Sequence, residues 1–280
     1  MLLLWAPLRA QDLPQNLPNP APISPILQNN GKPIQTPFRC IAQDIQWAGM
    51  SCTPDEPCPV YLELSAVEAV GNKLFAAGNI HSQTVTLYSI LLGSEDLGHT
   101  WQEVHPRIRG AGLDRVQFTD LENGWVSGEA LSPLPQDPFL LLTDDGGKSW
   151  RQQPIFSETR VGSIQQIEFQ SKNEGSLVID RGQGSQSDRF ELYESLNGGR
   201  TWNIKEASRR PITLKDLSSS PPLWRIQADG PSQSYRIEHQ QGGRWTVASE
   251  FAVSLEPCRP EPPAAPGPEP TDNPPASPKK

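Results

Sequence analysis

An eight-residue motif recurs three times along the chain at nearly constant spacing, and it constrains the fold more than any other feature. It occupies Ser94–Trp101, Thr143–Trp150 and Ser195–Trp202, and a shorter copy lies at His239–Trp245. The pattern is Ser/Thr-x-Asp/Asn-x-Gly-x-Ser/Thr-Trp, and the four tryptophans lie 49, 52 and 43 residues apart. Self-similarity with a period of about 20 to 50 residues is typical of repeat architectures, so the chain is predicted to fold as repeated units.

The chemistry of the motif is that of a tight hairpin loop. Glycine reaches a positive φ without steric cost, and the short Asp or Asn side chain accepts backbone N–H bonds within the turn. The tryptophan starts the next strand and buries a large ring. We therefore predict structural roles, and neither metal ligation nor acid catalysis, for these residues: Ser94, Asp96, Gly98, Trp101, Thr143, Asp145, Gly147, Trp150, Ser195, Asn197, Gly199, Trp202, Gly243 and Trp245.

Strand-like runs flank each loop, and two more short apolar runs precede them in every unit, separated by turns rich in Asn and Gly. Each unit therefore reads as four antiparallel strands, which is typical of a β-propeller blade. The predicted fold is all-β, a small propeller of four clear blades. A fifth blade could form from Ile41–Trp47 and Phe251–Leu255, near the two chain ends. A closed ring is favoured, and an open arc that closes on a partner is the alternative.

The motif copies resemble the Asp-box, or bacterial neuraminidase repeat. With the Asn-Gly-Trp-Val-Ser-Gly stretch at 123–128, the units are similar to the photosystem II assembly and stability factor-like branch of that superfamily over roughly residues 60–250. Members of that branch usually have seven blades, more than this chain can supply. The resemblance implies a non-enzymatic scaffold or assembly factor for a protein client, one that could be membrane-associated, and it implies no cofactor.

Composition separates a foldable region from two proline-rich ends. Eighteen of the 30 prolines lie in residues 1–37 and 257–280. Met1–Ala10 resembles the end of a secretory signal but is too short to span a membrane. We predict a signal remnant at 1–10, disordered segments at 11–37 and 257–280, a propeller at 38–256, and a periplasmic or secreted location. The net charge of −8 disfavours a nucleic-acid partner.

The four cysteines suit an oxidising compartment. Cys52 and Cys58 flank a short loop that favours a local disulfide, and a bridge between Cys40 and Cys258 would fasten the two ends of the folded region. The other two pairings and four free thiols are the alternatives. Zinc is disfavoured because no Cys-x-x-Cys pair or suitable histidine accompanies these cysteines.

A sialidase requires an arginine triad, a tyrosine nucleophile and an acid/base carboxylate, and the Phe-Arg-Ile-Pro signature of that family is absent here. The tyrosines recur at equivalent strand positions, which favours packing. The chain is therefore predicted not to be an enzyme. A carbohydrate-binding or glycoside-cleaving propeller remains the alternative, and two carboxylates at the ring centre would favour it.

Charge is predicted to segregate between the two faces of the propeller. The face with the interblade connections, called here the connection face, would bind an anionic protein client through its arginines. The opposite face, called here the motif face, would carry mostly acids. The candidate partner-binding residues are Arg107, Arg109, Arg160, Arg181, Arg209 and Arg210. The acids are Glu95, Asp96, Asp120, Glu122, Asp144, Asp145 and Glu174.

Overall fold

The computed structural model describes residues 24–131, 135–182, 188–214 and 222–260. It contains sixteen strands and one short helix in these ranges. In chain order the elements are β1 (Leu27–Gln28), α1 (Ala42–Trp47), β2 (Tyr61–Val70), β3 (Lys73–His81), β4 (Thr86–Ser94), β5 (Thr100–Glu103), β6 (Ala111–Phe118), β7 (Gly124–Ala130), β8 (Gln136–Thr143), β9 (Arg151–Pro154), β10 (Ser163–Phe169), β11 (Gly175–Asp180), β12 (Phe190–Ser195), β13 (Asn203–Ser208), β14 (Trp224–Asp229), β15 (Ser234–Gln241) and β16 (Arg244–Ala252).

These strands form four antiparallel sheets, one for each unit of the repeat. Blade 1 has the order β1-β5-β4-β3-β2, blade 2 is β6-β7-β8-β9, blade 3 is β10-β11-β12-β13, and blade 4 is β14-β15-β16. The predicted all-β fold of four-stranded, propeller-type blades is confirmed. The described residues contain no fifth sheet.

Hydrophobic cores fill three of the junctions between blades. Blade 4 packs on blade 1, blade 1 on blade 2, and blade 2 on blade 3, so the central strands of blades 1 and 2 are covered on both faces and are mostly buried along their length. Representative members of the three cores are Leu62, Ile237 and Phe251; Phe75, Val126 and Phe139; and Trp125, Phe169 and Ile179.

An aromatic side chain at one strand position connects blade 1 to the motif loop of blade 2, and blade 2 to that of blade 3. Phe75 lies where a Cβ on Gly147 would stand, and Trp125 donates its Nε1–H to the carbonyl of Gly198 at 3.0 Å. The ladder registers place Ser176 at the equivalent position of blade 3.

The junction between blades 3 and 4 lacks this contact in the described part of the chain. A Cβ on Gly242 or Gly243 of blade 4 would meet no atom within 4 Å. Closure at this junction is not seen in the described residues, which leave out 215–221.

The N-terminal segment, residues 24–40, adds strands to two blades. Leu27 and Gln28 pair with β5, and Ile34 forms a parallel bridge to Phe251 of β16. This corrects our prediction of a disordered segment for residues 24–37: Leu27 and Ile34 are buried because the outer edges of blades 1 and 4 need a partner for their backbone groups. The rest of that segment, the signal remnant at 1–10 and residues 261–280 lie outside the described residues.

Ile41–Trp47 does not form the predicted strand of a fifth blade. Ala42–Trp47 is helical, and the backbone N–H of Ile41 donates to the Asp44 carboxylate at 3.1 Å, which caps the first turn. Asp44 is buried and pairs with Arg109 at 3.0 Å. Phe251 belongs to β16, so the chain ends close on blade 4 rather than on a separate sheet.

Both predicted disulfides are present, Cys40–Cys258 and Cys52–Cys58. The backbones of Cys58 and Cys258 also form an antiparallel bridge, so the two disulfides meet at one place. Cys40–Cys258 closes a loop of 218 residues, which removes much conformational freedom from the unfolded chain. In the described ranges, no helix has the length and apolar character needed to cross a membrane.

Candidate functional site

The three full motif copies have the same hydrogen-bond network. In the first copy the Ser94 hydroxyl donates to Asp96 at 2.9 Å and accepts the N–H of Gly98 at 2.8 Å. The Asp96 carboxylate also accepts the N–H and the hydroxyl of Thr100, both at 2.8 Å. The corresponding groups in the other copies are Thr143, Asp145, Gly147 and Ser149, and Ser195, Asn197, Gly199 and Thr201, except that the Asn197 amide donates to the Thr201 hydroxyl instead of accepting from it.

These bonds occupy the motif carboxylates. Burial raises the pKa of Asp145, but the side-chain and backbone hydrogen bonds from Ser149 outweigh burial and hold the pKa at about 2. The pKa of Asp96 is lowered in the same way, by donors on Thr100 and Ser94 that overcome burial. The fourth copy has no such network in the described residues, and Arg225 stacks on its Trp245 at 4.1 Å. The loops therefore hold hairpins together, and their carboxylates at Asp96 and Asp145 are engaged in hydrogen bonds within the loop.

The indole N–H groups of the motif tryptophans differ in their hydrogen bonding. Trp101 is fully buried and donates its Nε1–H to Ser249 of blade 4 at 3.0 Å, and Trp150 donates to the carbonyl of Gly147 at 3.2 Å. Trp202 packs edge-on against Phe169, but its Nε1 is buried without an acceptor among the described residues.

Two of the six candidate arginines are paired with carboxylates of the protein itself. Arg107 forms a bidentate pair with Glu103 and donates to the carbonyl of Pro37 in the N-terminal segment at 2.7 Å. Arg109 pairs with the buried Asp44 and with the Tyr88 hydroxyl. Both guanidinium groups therefore stabilise the contact between blade 1 and residues 37–44, and neither is free for a partner.

Arg160 and Arg181 are brought together by Phe156. Their guanidinium carbons lie 5.0 and 5.8 Å from the centre of that ring, within the range of cation–π attraction. Arg181 also lies 3.7 Å from Glu191, which accepts the hydroxyl of Tyr193 at 2.6 Å. Burial, followed by this hydrogen bond, raises the pKa of Tyr193 to about 12, so the phenol remains a donor at neutral pH.

A cavity of about 550 Å³ opens beside this cluster, between the connection from blade 2 to blade 3 and the outer strands of blade 3. We call it the outer groove. Its lining residues are Ile155, Phe156, Ser157, Glu158, Arg160, Glu191, Tyr193, Trp202, Asn203 and Ile204.

Arg209 and Arg210 lie at the end of β13, away from Arg107 and Arg109. Arg209 has 91% of its side chain exposed and lies 3.4 Å from Asp188, and Arg210 is exposed. The six predicted arginines thus fall into three separate pairs, of which Arg160 with Arg181 and Arg209 with Arg210 belong to blade 3 and its connections.

The central channel is a site that our sequence reasoning missed. It has a volume of about 920 Å³ and is lined by residues of all four blades. Glu68 from β2 and Glu168 from β10 both line it. Burial and, second, the charge of Glu168 raise the pKa of Glu68 to about 7. The alternation of apolar and polar residues in β2 and β10 could have placed each glutamate on a strand. It could not show that the two side chains line the same channel.

A smaller cavity of about 280 Å³ adjoins the channel at Ser65 and is also acidic. Glu63, Asp114 and Glu129 line it, and burial raises the pKa of Glu129 to about 7. Because Glu129 lies at the end of β7 toward the connection face, that face carries an acid near its centre and arginines on blade 3. Among the described residues no group of three or more His, Cys, Asp or Glu side chains could hold a metal ion.

Comparison with known proteins identifies no family. No family model and no curated protein matches the chain. Among solved structures it is similar to YCF48 bound to D1 peptide, with 20% identity and a TM-score of 0.37, covering 69% of this chain and 53% of that one. It is also similar to YCF48 from Cyanidioschyzon merolae, with 14% identity, a TM-score of 0.33 and coverage of 69% and 50%.

A third similar structure is the GH74 xyloglucanase from Xanthomonas campestris, with 16% identity, a TM-score of 0.36 and coverage of 64% of this chain and 28% of that one. The chain thus spans about half of each YCF48 chain and less of the xyloglucanase. At these TM-scores the likenesses carry no argument about function.

Proposed function

We propose that the protein is an exported, non-enzymatic β-propeller of the Asp-box type that binds a protein client, as a scaffold or assembly factor. The observation that carries this proposal is the outer groove, where Arg160 and Arg181 stack on Phe156 beside an open space of about 550 Å³. The lining also contains Glu158 and Glu191, and Arg181 is paired with Glu191, so Arg160 on Phe156 is the group offered to an anionic protein segment. Arg and aromatic side chains dominate binding energy at protein interfaces.

Export is part of the same proposal. Two disulfides that meet at the chain ends are stable in an oxidising compartment and are rare in the cytosol. The apolar Met1–Ala10 stretch is consistent with the end of a secretory signal. Thiol trapping in intact cells tests this proposal: all four cysteines should resist alkylation unless a reductant is added, and free thiols in freshly trapped protein would contradict export.

A client pull-down from the periplasmic fraction tests the binding function. We expect the Arg160→Glu, Arg209→Glu, Arg210→Glu triple variant to lose its specific partners, because three cations on blade 3 become anions. The matched control is Arg151→Glu on the exposed surface of β9. Retention of the same partners by the triple variant, with circular dichroism unchanged, would remove the support for an arginine-based client site.

The paired carboxylates of the central channel favour a second candidate function, a carbohydrate-binding or glycoside-cleaving propeller. Glu68, with a pKa near 7, could serve as a general acid, and Glu168 could serve as the base or nucleophile. Hydrolysis of a panel of polysaccharides by the wild-type protein and its loss in Glu68→Gln would establish this function. Under our leading proposal no hydrolysis is seen, and client binding is unaffected by Glu68→Gln.

A further inference from the structure

The outer edge of blade 3 is a bare strand. β13 (Asn203–Ser208) is the last strand of its sheet, and five of its six residues are exposed. Among the described residues, no backbone hydrogen bond reaches its outer side. An unpaired edge of this length, without proline, is a template for another extended chain.

The protein covers the equivalent edge of blade 1 with its own chain. Leu27 of β1 pairs with Trp101, the tryptophan of the first motif, and is itself buried. In blade 4, Ile34 pairs with the last part of the β16 edge, at Glu250 and Ala252. The edge of blade 2 is protected differently, since β9 has only four residues and ends in Pro154. Among the described residues β13 has neither a covering segment nor a proline, unlike the outer strands of the other three blades, and its Lys205 is paired with Glu194 of the neighbouring strand β12.

The outer groove runs beside this edge and offers unsatisfied groups to an added strand. Ile204 is 57% exposed and lies on the same face as Tyr193, its partner in the ladder. Trp202 occupies the position that Trp101 has in blade 1, yet its Nε1 has no acceptor among the described residues. An aliphatic side chain in the position that Leu27 has on blade 1 would cover Ile204 and Trp202.

Three arginines of the groove lining and of the two ends of β13 have no carboxylate partner among the described residues. Within the described residues the ion pairs leave out Arg160, Arg200 and Arg210. The Arg160 side chain donates to the Tyr193 hydroxyl and stacks on Phe156, and the Arg200 side chain donates to the carbonyl of Asn197. Acidic side chains on either side of an aliphatic residue would match this arrangement.

We propose that the outer edge of β13 binds an extended segment of a partner protein as an added strand, with an aliphatic side chain against Ile204 and Trp202 and acidic side chains beside Arg160 and Arg200. This rests on the proposed client-binding function and specifies the form in which the client is bound. Main-chain hydrogen bonds supply affinity, and the groove supplies specificity for the side chain.

A second copy of the chain fits this edge poorly. Two identical antiparallel edges related by a two-fold axis align a residue with its own copy at the centre. The two central registers of β13 would place Lys205 opposite Lys205 or Glu206 opposite Glu206. Like charges directly opposite each other are destabilising, so the charges of β13 disfavour self-pairing.

The test uses the full-length protein and a fluorescent peptide, Ac-DDILQDD-NH2, whose centre copies residues 26–28. Fluorescence anisotropy should show saturable binding. Backbone N-methylation at one alternating set of peptide residues should weaken binding at least about tenfold, whereas methylation of the other set changes it less than about twofold, because an added strand donates every second N–H. No binding, or equal effects of the two methylated sets, would overturn the proposal.

Protein variants separate this proposal from the proposed function. Ile204→Lys should weaken peptide binding about tenfold or more, while the matched exposed control Ile26→Lys leaves it unchanged. If Ile204→Lys retains all clients in the pull-down while the arginine variant loses them, client binding stands and strand addition is wrong. If peptide binding appears only after deletion of residues 261–280, the chain's own tail occupies the edge, which would also overturn the proposal.

Discussion

Leu97 differs in residue type from the residues at the same position in the other two full motif copies. Its φ is +57°, and the equivalent residues of the other two full copies are Gly146 and Gly198, with φ of +71° and +70°. A left-handed conformation costs a non-glycine residue about 1–2 kcal/mol. The first motif therefore carries backbone strain that the second and third avoid.

Leu97→Gly is expected to raise the free energy of unfolding by roughly 0.5 kcal/mol, because relief of the strain exceeds the entropy cost of glycine in the unfolded chain. Chemical denaturation measures the change. Leu196→Gly is the matched control: Leu196 is exposed on a motif loop without a positive φ, so the same mutation there should destabilise by about 0.5 kcal/mol. Equal effects at both positions would contradict the strain at Leu97.

The titration of Asp145 makes the stability of the fold depend on pH in the acid range. Its pKa is held at about 2 in the fold, below the ordinary value of 3.8, so its stabilising contribution is complete above pH 3.8 and is lost as the pH falls toward 2. We expect Asp145→Asn to reduce the fall in Tm between pH 4 and 2, since Asn197 shows that an amide fits the same loop. An equal fall in Tm between pH 4 and pH 2 in the variant and the wild type would mean that this carboxylate does not set the acid stability of the loop.

At the scale of the element, the N-terminal segment joins two blades that no hairpin connects. Ile34→Ser removes a buried side chain between blade 4 and blade 1 and should cost about 2–4 kcal/mol of unfolding free energy. Limited proteolysis should then cut near residue 34 sooner than in the wild type. The exposed Ile26→Ser variant serves as the control, and equal proteolysis of both variants would argue against the anchoring role of Ile34.

How much could be predicted from sequence also varies by element. Gly147 and Trp150 mark a turn and a strand start by local chemistry alone, so the blades could be predicted. Ala42–Trp47 is a single helical turn and a half, fixed by the capping Asp44 and its distant partner Arg109, and no local period reveals it. Proline content favoured disorder for residues 24–37, but the open edges of β5 and β16 outweighed it.

At the scale of the whole molecule, the central channel makes stability depend on pH near neutrality. The pKa of Glu68 is raised from 4.5 to about 7, and that of Glu129 likewise. The neutral forms are favoured in the fold, so their contribution is complete below pH 4.5 and is lost as the pH rises to about 7. Tm should therefore fall between pH 5 and 8.

Glu68→Gln should diminish this fall and raise Tm at pH 8, because an amide needs no proton to remain neutral. Glu206→Gln on the exposed strand β13 is the control and should leave the profile unchanged. A wild-type Tm that is constant from pH 5 to 8 would show that the channel carboxylates are hydrated rather than desolvated.

The arrangement of the blades was less accessible from sequence than the blades themselves. Trp125 and Phe75 connect neighbouring blades, but their equivalence to Ser176 emerges only from the ladder registers. The six arginines were predicted to share one face, but they lie in three separate pairs, and Asp44 and Glu103 neutralise two of them from elements whose positions depend on the tertiary fold.

The pairing of Ile34 with Phe251 also sets an order of events during synthesis. Ile34 is synthesised more than two hundred residues before Phe251, so the N-terminal segment lacks this pairing partner while three blades are made. Loop-closure entropy makes such a distant pairing slow. The fold is then completed when β16, which is made late, pairs with Ile34, which is made early. The Cys40–Cys258 disulfide can afterwards fix this contact covalently.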